Sequence, residues 1–545
     1  MANVQVDTKP FGWGLWLVLA ACWFATIQWR ALMEPDEARY AEIPREMWTS
    51  GDWVTPRLNG IQYFEKPPLQ YWATAALYSV FGIHEWTARL WALGLAFLTI
   101  PMTYAFARAV YGAPSFGIAA ALALAANPFF VIVGQLNLLD SAFAFFMVAA
   151  VFAFLRSRDV SSINEEHRWI LLTWISLACA VLSKGIVALV LPGATIVVYS
   201  VLTRDFSVWR RWHLGWGLPL FLLITAPWFW AVDARHPDFL TYFFIHEHFA
   251  RFLTTVHERV EPWWYFLPLV ILALAPWIAR LSPSLRATWQ GPMAGRFLMV
   301  WSGVVLVFFS VSQSKLPPYI MPMMAPLAVL LAAGISSKWG VVRQATWING
   351  ALIAFIAGGL VVFAAHKHST IPLQMMVWSA FAVLASAAAV LIFRRIPASG
   401  VDSPRSVVFA CCSILAWQAL LMSYASLPPL RTAKPLVAAV RDFVGPDTIL
   451  YSVSQYRQSI APYLGRTLRL VAFRGELDYG LSHENVPYVR TLDEFLVEWQ
   501  RSRDAVAFIA ADVYEQLVKR GVSFHRLAAD GRTVVVSRRD VEGAR

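Results

Sequence analysis

Apolar runs long enough to cross a bilayer recur along this 545-residue chain, and they settle its class before any motif is read. They fall near 11–28, 86–109, 114–133, 138–155, 169–182, 186–202, 214–232, 263–279, 297–312, 318–335, 346–365, 372–393 and 407–425. About thirteen spans are therefore expected, in a mainly α, polytopic membrane protein. Charged residues make up 14% of the chain, against about 25% in an ordinary soluble protein, which excludes a cytosolic enzyme. The net charge of +11 is scattered between apolar runs rather than gathered on one face, so a nucleic-acid partner is not expected. Cys22, Cys179, Cys411 and Cys412 all lie inside apolar runs without metal-ligand spacing and read as small core residues. The head before the first run carries only Asp7 and Lys9, and no small-residue cleavage site follows the run. It reads as an anchor, not a removable signal.

The loops bearing Arg156/Arg158/Arg168, Arg204/Arg210/Arg211, Arg280/Arg286/Arg296, Lys338/Arg343 and Arg394/Arg395/Arg405 fall on one side. The positive-inside rule makes that side the cytoplasm. The stretch 69–81 is apolar but about a dozen residues long and follows Pro67-Pro68, so an interfacial helix is expected there rather than a span. The N-terminus is then cytoplasmic, and 33–85, 233–262 and everything after about 426 lie outside. Two domains are expected: a transmembrane catalytic domain, 1–426, and a C-terminal soluble α/β domain, 427–545. In the latter, strands are expected at 449–453, 468–473, 505–509 and 533–537, and helices at 492–499 and 513–520, with Gly521 as a C-cap. No Gly-rich phosphate loop occurs in it, so no chemistry is assigned to it.

A purely structural outer face would use short turns, and long polar loops are where function concentrates. The first opens with Glu34-Pro-Asp-Glu-Ala-Arg-Tyr40, and later holds Tyr63-Phe-Glu-Lys-Pro-Pro68. The structural alternative for Asp36 and Glu37 is an acidic helix N-terminus, and for Lys66 a snorkelling anchor. Against these, Arg39 and Tyr40 crowd the same turn as the acids, and Lys66 is pre-positioned beside two prolines where a lipid phosphate would lie. Lys184, in Leu182-Ser-Lys-Gly185, and Lys315, in Ser314-Lys-Leu-Pro-Pro-Tyr319, sit at outer ends of spans. Asp140 lies just inside one, where an ionisable group is costly and suggests function. The second polar loop gathers His246-Glu-His248 and Arg251. The bases suit a phosphate; the acids suit a metal or the hydroxyl and amino groups of a sugar. Glu65 with His246 is a candidate divalent-metal pair, without any local H-E-x-x-H spacing to reinforce it. His236, His257, His366 and His368 read as interfacial polar residues.

Asp36-Glu-Ala-Arg-Tyr40, Phe64-Glu-Lys-Pro-Pro68, Leu182-Ser-Lys-Gly185 and Ser314-Lys-Leu-Pro-Pro-Tyr319 together resemble the bacterial lipid A aminoarabinose transferases. These are integral-membrane glycosyltransferases of the GT-C superfamily, related to protein O-mannosyltransferases. The resemblance runs from the first span to the end of the chain. It implies a GT-C fold and transfer of 4-amino-4-deoxy-L-arabinose from undecaprenyl phosphate to a lipid A phosphate, on the periplasmic side of the inner membrane. It also implies lowered negative charge and resistance to polymyxin-like peptides. By the same resemblance Asp36 is the central catalytic carboxylate, with Glu37 beside it. Arg39 and Lys66 handle the donor phosphate, and Lys184 and Arg251 line the cavity. Tyr40, Tyr63, Asp140, Lys315 and Tyr319 complete the substrate-binding set, and Glu65 with His246 resembles a metal site for zinc or a similar ion. The expected partners are the lipid-linked donor, lipid A and membrane lipids, with the protein a monomer. Another polyprenyl-phosphate-sugar transferase, such as a protein O-mannosyltransferase, shares the fold and the acid. A lipid transporter would show inverted repeats and interrupted midplane helices, and neither is visible.

Overall fold

The computed structural model describes residues 12–250, 261–335, 339–367, 370–395, 404–427 and 431–538. Within these, the chain divides into two compact units. One comprises 12–27, 65–70 and 90–424, and the other 28–64, 71–89 and 425–538. Composition alone places the boundary near 426 and leaves the first polar loop with the membrane helices. By its contacts most of that loop groups with the C-terminal segment instead, where Glu34, Arg39 and Arg57 find partners.

The first unit is a helical bundle. All thirteen apolar stretches lie on helices, but nine helices among the described residues are both long and apolar enough to cross a membrane, or ten if one bent pair counts as a span. The bent pair is Pro114–Ala125 and Pro128–Gly134, kinked by 66°. Asn127 makes the break, since its side chain accepts a hydrogen bond from Phe130 N (2.9 Å) and Pro128 begins the second helix. Two further helices, Trp13–Phe24 and Val187–Thr203, are short, and Ile163–Lys184 opens with charged turns. Large apolar side chains such as Leu223, Trp230, Phe355 and Val362 are exposed on spanning helices, as expected where lipid is the solvent.

Inside the bundle, polar groups tie the first helix to distant ones. Trp23 is fully buried and donates from Nε1 to Leu93 O (3.0 Å), while Gln135 (3.0 Å) and Gln418 (2.8 Å) both donate to the carbonyl of Trp23. The end of a short helix is thereby satisfied in a medium that offers it no water.

The second unit is built around a six-stranded sheet. Strands β1 (Arg57–Leu58) and β2 (Ile61–Gln62) form a small antiparallel ribbon. The sheet strands follow: β3 (Ile449–Val453), β4 (Arg469–Val471), β5 (Tyr488–Val489), β6 (Ala505–Ala510), β7 (His525–Ala529) and β8 (Thr533–Ser537). Their order is β5-β4-β3-β6-β8-β7. The first four are mutually parallel, and β8 runs antiparallel between β6 and β7. Helices Leu492–Arg501 and Ala511–Lys519 cover a core of Tyr451, Val471, Phe495, Trp499, Ile509 and Leu517. The expected strands and helices are all present; β5 and β7 are additional. β5 is two residues long, and β7 exposes most of its side chains, so neither carries an apolar pattern to be read.

Helix Leu69–Phe81 forms as expected, thirteen residues long. Helix Asp36–Ser50 ends at Gly51, whose φ of 73° closes it. The ribbon is fastened to the α/β part by paired hydrogen bonds between Asn59 and Leu468 (2.7 Å each) and by Arg57 on Glu484 (2.9 Å). Helix Asp478–His483 lies so close to the ribbon that a Cβ on Gly480 would come within 2.5 Å of the Gln62 carbonyl oxygen. Only glycine permits that approach.

Candidate active site

Helix Asp36–Ser50 buries every residue from Glu37 to Met47, five of them charged. Buried charge is costly unless paired, and each of these is paired or bonded. Glu37 is 2% exposed and accepts from Arg30 Nη2 (2.9 Å), Arg89 Nε (3.0 Å) and the Met33 amide (3.0 Å). Burial by itself would raise its pKa, but the charges and hydrogen bonds of the two arginines outweigh it and hold the carboxyl well below the usual range. The acid expected to share catalysis with Asp36 is thus fully engaged as an anchor for the start of the loop. Replacing it by glutamine would leave two buried guanidiniums short of a counter-charge. We expect Glu37→Gln to cost about 1–3 kcal/mol at neutral pH, seen as a lowered Tm. Because a depressed pKa contributes stability only above the ordinary carboxylate range, the gap to wild type should close on acidification.

Asp36 is different. Its side chain is about one-third exposed, and it accepts from Arg39 Nη1 at 3.0 Å. Arg39 is itself buried, lies over the Tyr63 ring at 5.9 Å, and gives its other terminal nitrogen to Glu476 at 3.0 Å. Burial works against its charge, but Tyr63, Glu476 and Asp36 more than offset this and hold the guanidinium firmly protonated. Tyr40 is buried, with its ring 6.3 Å from that of Tyr71. Expected residues Asp36, Arg39, Tyr40 and Tyr63 therefore share one unit, with the first, second and fourth in contact through the guanidinium.

Further along the same helix, Glu42 and Arg45 form a buried bidentate pair at 2.6 Å, and Glu46 lies beside them. Burial and the neighbouring Glu42 push the Glu46 carboxyl up to about 8, although Gly60 N donates to it at 2.8 Å. A carboxyl whose pKa is raised in the folded state weakens the fold progressively as pH rises from the ordinary carboxylate value toward that raised one. Glu46→Gln is expected to remove this penalty and stabilise the protein by about 1–3 kcal/mol at pH 8 but not at pH 5. Thermal melts at the two pH values check it.

The first unit holds the other candidates. Asp140, in the first turn of helix Leu139–Asp159, is bonded directly to Lys184, the last residue of helix Ile163–Lys184. The Lys184 ammonium lies 4.3 Å from the centre of the Tyr319 ring, so three expected residues form one group. Lys315 is 5% exposed and donates to Ser312 O (2.6 Å). Lys66 donates to the Glu65 carbonyl (2.7 Å), and its ammonium is 3.8 Å from Glu247. Glu247 is buried and also accepts from Tyr242 (3.3 Å). His246 stacks on Tyr242 and is half exposed. Arg251, His257 and His368 lie outside the described residues.

Glu247 and Glu476 are the partners that sequence reasoning missed. Glu247 was visible between two histidines, but they drew attention to metal ligation rather than to the acid. Glu476 stands in an unremarked turn of the C-terminal segment, and no local pattern marks it.

A family model of dolichyl-phosphate-mannose-protein mannosyltransferases matches residues 14–243, and one of the aminoarabinose transferase C-terminal domain matches 436–538. The chain is 30% identical over 516 residues to the undecaprenyl phosphate-α-4-amino-4-deoxy-L-arabinose arabinosyl transferase of Shewanella sediminis, covering 90% of this chain and 91% of that one. It is 35% identical to the Pseudomonas paraeruginosa protein of the same name over 348 residues, 61% of this chain and 60% of that one. Two crystal structures of ArnT from Cupriavidus metallidurans, apo and bound to undecaprenyl phosphate, each superpose with a TM-score of 0.87 at 32% identity, covering 96% of this chain and 97% of theirs.

Proposed function

Because this chain belongs to the undecaprenyl phosphate-α-4-amino-4-deoxy-L-arabinose arabinosyl transferase family, we propose that it moves 4-amino-4-deoxy-L-arabinose from undecaprenyl phosphate onto a lipid A phosphate. It is a multi-pass inner-membrane glycosyltransferase that uses a polyprenyl-phosphate sugar. Supporting the full reading is one observation: the likeness spans both units, so it includes Asp36, Lys66, Asp140 and Lys184 as well as the C-terminal segment. That segment also favours this acceptor over a protein hydroxyl, since it matches the aminoarabinose transferase domain.

In the proposed reaction an acceptor phosphate oxygen attacks C1 of the sugar while the bond from C1 to the undecaprenyl phosphate oxygen breaks. No proton need move, because a phosphate monoester, with a second pKa of about 6, is already largely ionised at pH 7. The leaving phosphate gains charge and needs a cation rather than an acid, and Lys66 supplies it. Arg39 is committed to two carboxylates, so it serves chiefly to hold Asp36. Asp36 orients the acceptor or takes the cationic sugar amine. Lys184, bonded to Asp140 and seated on Tyr319, lines the binding region together with Lys315. The outer loops and the C-terminal segment are assigned to the periplasm by the distribution of Lys and Arg. Capping lipid A phosphates with an amine lowers surface charge and weakens the binding of cationic peptides.

A divalent ion is part of the same proposal. Glu65 and His246 offer the oxygen and imidazole donors that zinc accepts, yet no group of three or more His, Cys, Asp or Glu residues suited to a metal occurs among the described residues. Water or substrate oxygens would fill the remaining positions, and the ion would supply positive charge near the donor phosphate. We expect chelation, or His246→Ala, to lower bound zinc measured by elemental analysis of the purified protein, with activity falling in parallel.

The deciding experiment is mass spectrometry of lipid A from cells with and without the gene, followed by reconstitution with purified donor and acceptor. A gain of one pentosamine that depends on this protein supports the reading. Transfer to a protein or another glycan, with lipid A unchanged, overturns it.

A further inference from the structure

The C-terminal segment matches no Gly-rich loop and carries no constellation of its own for chemistry, yet one of its carboxylates reaches the helix that bears Asp36. Glu476 Oε2 accepts from Arg39 Nη2 at 3.0 Å, and Arg39 Nη1 donates to Asp36 at 3.0 Å. The second oxygen of Glu476 is held by Gln458 Nε2 at 2.6 Å. The resulting chain, Gln458 to Glu476 to Arg39 to Asp36, lies wholly within the second unit.

We propose that Glu476 is a positioning residue for the transfer reaction, fixing Asp36 through Arg39, and that this is what the C-terminal segment contributes to catalysis. The inference rests on the functional reading above and deepens it. Three observations carry it. A guanidinium is a rigid planar fork, so pinning one terminal nitrogen fixes the direction in which the other points. Arg39 is 4% exposed and rests against Tyr63, so losing Glu476 leaves a buried cation short of a partner. Asp36, by contrast, is one-third exposed and bonded to Arg39; without that bond its short side chain would be free to rotate among its staggered positions.

The location of Glu476 is set by the turn Gly475–Leu477, where Gly475 adopts a φ of +46°. A Cβ there would stand 2.6 Å from the Phe473 ring, so a side chain at this position must move the ring or strain the turn that places Glu476, without touching its charge. Charge and placement can therefore be removed separately.

The test uses full-length enzyme in detergent or nanodiscs, with Glu476→Gln, Gly475→Ala, Asp36→Asn and the Asp36→Asn/Glu476→Gln double variant. Glu476→Gln and Gly475→Ala should each lower kcat by about 10²-fold, the cost of a misplaced group, with KM for the donor little changed. The double variant should be no slower than Asp36→Asn alone, since residues acting as a unit are non-additive. Hydrogen exchange on the same proteins reads the geometry without turnover: the amides of the first turn after Asp36 should lose protection in Glu476→Gln, with the sheet unchanged. Fully multiplicative losses in the double variant, or unchanged exchange in that turn, overturn the inference. A well-folded wild type that transfers no pentosamine overturns the functional reading instead, and the exchange experiment still decides this one.

Discussion

Lys66→Ala should lower kcat/KM for sugar transfer by about 10²–10³-fold, the scale of losing one charge stabiliser from a transition state. The expectation follows from the leaving group. Departure of undecaprenyl phosphate concentrates negative charge on one phosphate, which a pre-positioned cation stabilises. Lys66 is held in place by its own neighbourhood, with Glu247 at 3.8 Å and the Glu65 carbonyl at 2.7 Å. Its side chain is largely buried and follows the aromatic pair Tyr63-Phe64. Lys66→Arg keeps the charge but not the compact shape, so it should recover only part of the lost rate. Equal donor turnover by Lys66→Ala, in protein that elutes and melts as wild type does, would remove the lysine from the mechanism.

The second large effect belongs to Asp36→Asn, for which a loss of about 10²–10³-fold in kcat is expected. Its dependence on pH is more telling than its size. If Asp36 were the base for a hydroxyl nucleophile, the loss would shrink as pH rose and the nucleophile ionised unaided. With a phosphate acceptor, already ionised, the ratio of wild-type to variant rate should stay level across the neutral range. A ratio that collapses toward alkaline pH would reassign the acid as a proton acceptor and with it the class of acceptor.

Several parts of this arrangement could be read directly from the chain. Asp36, Arg39 and Tyr40 stand within five residues, so one helical turn brings the first two into contact. The Lys-near-diproline elements stood out because prolines restrict the backbone around an isolated charge. The helices followed from apolar length: every expected run lies on helix, with Asn127 bending one of them and two others, Trp13–Phe24 and Val187–Thr203, shorter than the rest. Partners distant in sequence could not be read. Arg39 meets Glu476 across 437 residues, and Glu37 meets Arg89 across 52, and nothing periodic links such positions. Glu37 is the instructive case: adjacent to Asp36 and identical in chemistry to a catalytic acid, it is distinguished only by the two arginines that fold around it.

The same long separations bear on how the molecule is made. Glu34, Arg39 and Arg57 take their partners from Arg457, Glu476 and Glu484, which leave the ribosome 423, 437 and 427 residues later. At about 5–20 residues per second, these side chains emerge roughly 20–90 s before those partners do. During that interval burying Glu34 in the segment after the first anchor would be costly, because its partner Arg457 has yet to be made. Arrival of the C-terminal segment as far as Glu484 is thus what gives the earliest loop its distant partners, and a chain cut short before Arg457 is expected to insert into the membrane with that loop unclosed.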